Sequence, residues 1–165
     1  MKTAKPSFTG WLSRANPFAF DPDDEARRED AMRMMGGTPS IPAYYAAIAG
    51  LDIVNEVGVD RIREKSQRLT ARLLALVDEH GFTSAAARDP NRLAGTVAVN
   101  VPDALEVSRT LKARDFVVDY RPPVGVRISP HFYNTMEEIE RIMAEMASIV
   151  AKKDYAAPDV LSRVT

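Results

Sequence analysis

Residues 41–81 constrain the fold more than any other stretch, because two helical patterns lie there back to back with one glycine between them. The run IPAYYAAIAGLDIVNEVG is apolar almost all round, which predicts a buried helix rather than one lying on a surface. Thr38, Ser40 and Pro42 open it. Ser40 suits the N-cap, and Pro42 falls in the first turn, where a missing N–H costs nothing. Gly58 stops this helix, and Asp60 begins a longer, amphipathic one. Ile62, Leu69, Leu73, Leu74 and Val77 recur there at helical spacing, and Gly81 supplies the C-terminal stop.

Beyond Gly81 the period changes. GTVAVNV, residues 95–101, alternates and is β-branched, as a strand requires. Pro102 and Asp103 turn into a helix carrying Ala104, Leu105, Val107 and Leu111. FVVDY at 116–120 reads as a second strand, Pro122 and Pro123 break it, and VGVRIS at 124–129 reads as a third. Asn134 and Thr135 cap a last helix, with Glu138 where a capping box needs it and Ile139, Ile142, Met143, Met146, Ile149 and Val150 as its apolar stripe. The expected fold is an α/β (α+β) two-layer unit, a small mixed sheet of about three strands packed with helices.

The segment before residue 41 differs in kind. Residues 1–21 are rich in Pro, Gly, Ser and aromatics without a sustained period, so they need a surface to lie against. A charge run and the cluster Met32, Met34 and Met35 follow, ending at Gly36 and Gly37. We therefore expect an interface strip at 1–40, a domain at 41–153 and a loosely held tail at 154–165. Residues 1–35 should pack poorly on their own chain or be held by a partner copy.

Composition removes several function classes. Lys and Arg total 22 against 23 Asp and Glu, so no electrostatic footprint for nucleic acid exists. Arg27 and Arg28 sit among acidic residues in DPDDEARRED, a solvated mixed-charge face. The chain has no cysteine, which excludes disulfides, a thiolate metal site and a cysteine nucleophile. No apolar run reaches the roughly 18 residues of a membrane span. Lys2 and Lys5 precede SFTGWLS, which is not the apolar core of a signal peptide, so the expected location is cytoplasmic.

Chemistry can reside in three places. In VRISPHFYNT, residues 126–135, Arg127 lies inside an apolar β run. A guanidinium there can grip a carboxylate with two parallel hydrogen bonds; the alternative is an arginine on the solvent face of an edge strand. His131 suits capping or packing better than acid–base work, and Tyr133 and Asn134 most simply pack against and cap the last helix. GGTPS at 36–40 offers N–H and O–H donors to an anion such as a phosphate, or forms a plain turn with a helix cap. Trp11, the only tryptophan, carries an indole N–H that needs a partner when buried, with packing as the plainer role.

Taken in order, GW at 10–11, PFAFD, GGTPSI before a buried helix, DYRPP and VRISPHFYNT resemble the C-terminal part of kynureninases and class V aminotransferases, pyridoxal-phosphate (PLP) enzymes of fold type I. The likeness runs from about Phe8 to Ile149. It implies PLP as cofactor and an amino acid as substrate. It further implies that Trp11 donates its indole N–H to the cofactor phosphate, that Thr38 contacts that phosphate, and that Arg127 holds the substrate α-carboxylate. It assigns no catalytic residue and no metal to this chain.

The departures also carry information. The family holds PLP on a lysine upstream of the GW motif, whereas Lys2 and Lys5 are the only lysines before Trp11 and lie too close to it. The aromatic that stacks on the ring and the aspartate that pairs with its nitrogen are expected upstream as well. GWFGH of kynureninases continues here as GWLSR. Cysteine desulfurases share the fold, but the absence of cysteine disfavours that branch. The resemblance thus implies the substrate-clamping part of an enzyme, incomplete alone, with residues 1–40 as a remnant of the large PLP domain, 41–153 as the small C-terminal domain, and a homodimer partner or a separate large domain. The other class is a stand-alone interaction module that kept the fold without catalysis. Transamination, β-elimination and Cβ–Cγ cleavage all use the same carboxylate clamp.

Overall fold

The computed structural model describes residues 6–24 and 26–156, so Lys2, Lys5 and the tail beyond Ala156 lie outside it. The chain divides into two compact units, one up to Glu56 and one from Val57. This division by compactness falls one helix later than the compositional boundary at residue 40.

The first unit begins with three short 3-10 turns, Trp11–Ser13, Pro17–Ala19 and Ala31–Met34. Backbone pairing ties them together: Ala15 N–H donates to the Ala26 carbonyl at 2.8 Å and Arg28 N–H to the Ser13 carbonyl at 3.0 Å. The Asp30 carboxylate caps the third turn by accepting from the Met32 N–H. Ser13 is the only buried residue among those described up to Glu56.

Helix α1 (Ile41–Val57) forms where the sequence predicts it, with the Ser40 carbonyl accepting from Ala43 N–H at 3.0 Å. Its burial does not follow. None of its residues is buried, and Ile41, Tyr44, Tyr45, Ile48, Leu51 and Ile53 are all exposed. An apolar surface on every side creates a demand for burial, which the described residues of the first unit do not meet.

The second unit contains α2 (Val59–Glu79), β1 (Val97–Val99), α3 (Ala104–Ala113), β2 (Asp119–Arg121), β3 (Gly125–Ile128) and α4 (Met136–Lys152). The strand order is β1-β3-β2 and both ladders are antiparallel, so the sheet is not mixed as expected. β2 reaches β3 through a tight turn, which permits only antiparallel pairing. Gly58 (φ 88°) separates α1 from α2, and Gly81 (φ 69°) follows the C-terminus of α2.

The pleat sorts the sheet into two faces. Val97, Val99, Val126 and Ile128 enter the core with Leu69, Leu73 and Val77 of α2, Val107 and Leu111 of α3, and Met143, Met146 and Ile149 of α4. Ala98, Asp119, Arg121 and Arg127 alternate with them on the opposite face. Helix α4 carries the anticipated capping box: Glu138 N–H donates to Thr135 Oγ1 at 3.3 Å, and Thr135 N–H donates to Glu138 Oε2 at 2.8 Å. The described start of the tail is fastened rather than loose. Asp154 pairs with Arg114 at 2.8 Å, Tyr155 Oη donates to Asp103 at 2.6 Å, and Ala156 N–H donates to Thr110 Oγ1 at 2.9 Å.

Candidate functional site

Arg127 lies on β3, the central strand, which excludes the edge-strand alternative. Its neighbours Val126 and Ile128 are buried, which fixes the backbone, while Arg127 alternates with them onto the face opposite the core. Directly across the β2–β3 ladder stands Asp119. Arg127 Nε donates to Asp119 Oδ1 at 2.7 Å and Nη2 donates to Oδ2 at 2.6 Å, a bidentate fork. Arg121 reaches the same carboxylate from the side, Nη2 to Oδ2 at 3.2 Å. The hydrogen bond from Arg127 holds the Asp119 carboxyl below its ordinary range against the opposing effect of desolvation, with the charges of Arg127, Arg121 and Lys112 adding to it. The same bond raises Arg127.

Asp119, not among the candidate site residues, carries a signal of its own in the sequence. A carboxylate inside FVVDY interrupts an apolar strand, and a hairpin turning at Pro122–Val124 puts residues equidistant from the turn opposite one another. Arg121 faces Gly125, and two steps out Asp119 faces Arg127.

His131 and Asn134 build the junction between β3 and α4. Asn134 Oδ1 accepts from His131 N–H at 2.8 Å, and Asn134 Nδ2 donates to Glu138 Oε2 at 3.0 Å. The His131 ring lies against Phe132 and Tyr133, with centroids 4.6 and 4.7 Å away. The His131 backbone N–H thus joins the junction and its exposed ring lies against its two neighbours, while Tyr133 is 71% exposed and does not pack into the helix.

Trp11 and Thr38 belong to the first unit. The motifs that carry them, 26 residues apart at Gly10 and Gly36, meet in space. Gly10 N–H donates to the Met35 carbonyl at 3.1 Å, and a Cβ on Gly10 would lie 2.3 Å from the Gly36 carbonyl carbon. Trp11 is 40% exposed, set edge-on to Phe18 with centroids 5.5 Å apart. It lines a recess of about 190 Å³ with Arg14, Asn16, Pro17 and Phe20. Neither the Trp11 indole N–H nor the Thr38 hydroxyl has a hydrogen-bond partner among the described residues, and Gly36 and Gly37 leave open space where a Cβ would stand. Uncommitted N–H and O–H donors beside bare backbone fit the chemistry of a phosphate. The described residues include no cluster of ligating side chains for a metal ion, and no helix among them is long and apolar enough to cross a membrane.

Comparison with known proteins adds a family to this geometry. Residues 62–146 match the model of the kynureninase C-terminal domain, a span that contains Arg127 and Asp119 but neither Trp11 nor Thr38. The chain is 30% identical to a kynureninase of Bacillus cereus over 156 residues, 91% of this chain and 36% of that one. It is 33% identical to the uncharacterized aminotransferase YcbU of Bacillus subtilis (strain 168) over 144 residues, 87% of this chain and 37% of that one. Among solved structures, the apo cysteine desulfurase of Thermococcus onnurineus NA1 aligns with a TM-score of 0.69 at 24% identity, covering 90% of this chain and 40% of that one. That likeness shows the fold. The chain spans little more than a third of the length of the curated relatives it matches.

Proposed function

Since this chain belongs to the kynureninase C-terminal domain family, we propose that it supplies the substrate-carboxylate clamp and part of the phosphate cup of a PLP-dependent, kynureninase-like or aminotransferase-like enzyme. The observation that carries this reading is Arg127, rigidly placed on a central strand with its guanidinium directed away from the core. Two planar N–H pairs on that group match the two oxygens of an α-carboxylate. Trp11 and Thr38 would hold the cofactor phosphate, each with a donor that the described chain leaves uncommitted. When bound, PLP supplies an electron sink for bond cleavage at the amino-acid substrate. The residues here orient that substrate and neutralise its carboxylate.

Activity in this proposal needs a partner surface, either a second copy or a separate large domain, so the chain is inactive alone. The exposed apolar flank of α1 supports an associating surface of this kind. The proposed location is cytoplasmic. The alternative, a non-catalytic module retaining the fold, rests on the same flank and predicts association without cofactor binding.

The test is a PLP titration of the purified chain, followed by borohydride reduction and mass spectrometry, with Trp11→Phe and Arg127→Ala beside it. Scattered, weak lysine labelling is the expected result for the chain alone. Saturable labelling of one lysine, weakened by Trp11→Phe, would show that the chain completes the site by itself and would overturn the dependence on a partner.

A further inference from the structure

Asp119 spends one edge of the Arg127 guanidinium and not the other. The Nε–H and one Nη2–H point at its two oxygens, at 2.7 and 2.6 Å. Nη1, with two hydrogens, and the second hydrogen of Nη2 have no partner among the described residues. They form the outer edge of a side chain that is 40% exposed. A guanidinium presents two such bidentate edges, and a carboxylate on one leaves the other geometrically intact.

The surroundings hold Asp119 in place. It faces Arg127 in register on the paired strand, so both ends of the fork are fixed by backbone rather than by flexible loops. Arg121 bonds the same Oδ2 at 3.2 Å, giving the three side chains a net positive charge. A ligand carboxylate approaching the outer edge therefore meets an excess cation, with the internal anion neutralised between two arginines.

We propose that Asp119 is a positioning residue that clamps Arg127 by its Nε edge, so that a ligand carboxylate is taken only on the Nη1–Nη2 edge. This rests on the reading of Arg127 as the carboxylate clamp and deepens it. Asp119 does not contact the ligand; it sets the plane in which the ligand carboxylate must lie. The competing behaviour is displacement, in which the ligand takes the Nε edge and expels Asp119.

The experiment uses the full chain with arginine side chains labelled with nitrogen-15, titrated with L-alanine and followed by NMR at the Nε and Nη resonances of Arg127. The expected result is a saturable shift confined to the Nη resonances. The Nε–H should remain in its slowly exchanging, Asp119-bound position throughout. In Asp119→Asn the confinement should be lost, with Nε and Nη moving together, and Asp119→Glu should restore it in part. A saturable shift of Nε in the wild-type chain overturns the positioning role, and that observation does not depend on any variant folding. Arg127→Lys separates the clamp from the positioning of its guanidinium. A response at no Arg127 nitrogen in the wild type overturns the positioning role, whereas L-alanine binding to that variant as it binds the wild type overturns the carboxylate clamp itself.

Discussion

Gly10 and Gly36 are in backbone contact: a Cβ added to Gly10 would stand 2.3 Å from both the carbonyl carbon and the oxygen of Gly36. No side chain fits there without moving one motif away from the other. Gly10→Ala should therefore destabilise the first unit by about 2 kcal/mol, the range for forced overpacking. Trp11 is the sole tryptophan, so its emission reports on this unit directly. A red-shifted emission and an earlier denaturant transition are expected. Unchanged fluorescence and midpoint would rule out the tight contact.

Gly125 presents a second constraint of the same kind in the sheet. Its φ is 104°, and a Cβ would meet the Val99 carbonyl oxygen at 2.2 Å. Gly125→Ala combines a strained backbone with a clash between β3 and β1, and should cost at least about 2 kcal/mol. Gly95→Ala is the control, because its Cβ would find only Ser66 Oγ, at 3.5 Å. Urea unfolding of both variants decides the matter; equal losses would contradict this account.

The core of the second unit should respond to truncation and its rim should not. Leu73 and Met143 are fully buried where α2 and α4 pack, whereas Val117 is fully exposed. Leu73→Ala or Met143→Ala should each remove about 2–5 kcal/mol. Val117→Ser should change stability by less than about 0.5 kcal/mol. A large effect at Val117 would mean that some other surface covers it.

Helix α1 should tolerate charge where its sequence pattern forbids it. Ile48→Glu and Leu51→Lys alter exposed positions, so the unfolding free energy of the chain should stay within the scatter of surface substitutions, about 0.5 kcal/mol. Association at high concentration, measured by light scattering, should fall. A strong drop in thermal stability with no change in association would show that α1 is buried within its own chain.

Acid should destabilise the second unit. Hydrogen bonds from Arg88, Arg127, the Thr135 backbone and Arg72 hold Asp78, Asp119, Glu138 and Glu140, respectively, below their ordinary carboxylate range. Each group is then less protonated folded than unfolded, so its contribution is present above the unfolded values of about 4 and is lost as pH falls through the lower folded ones. Thermal midpoints should form a plateau above about pH 5 and decline below about pH 4. The double variant Asp78→Asn with Glu140→Gln should show a shallower acid limb. An unchanged limb would mean these pairs are solvated and contribute nothing to the pH dependence.

The local elements were legible in the residues alone. Apolar positions at helical spacing placed α2 and α4, Gly58 and Gly81 marked where helices end, and Thr135 with Glu138 specified a cap that forms bond for bond. Such features depend on residues within a turn or two of each other, and one chain segment contains all the atoms involved. The order of the motifs likewise carried the family, because the residues flanking Arg127 stand in fixed spacing on a strand and the helix after it. What each element meets depends on the packing of distant segments. The Arg127–Asp119 fork arises from hairpin register, the contact of Gly10 with Gly36 joins segments 26 residues apart, and α1 has an apolar surface that no described residue buries. Periodicity states that a surface needs a partner; only the packing of the folded chain determines whether its own residues provide one.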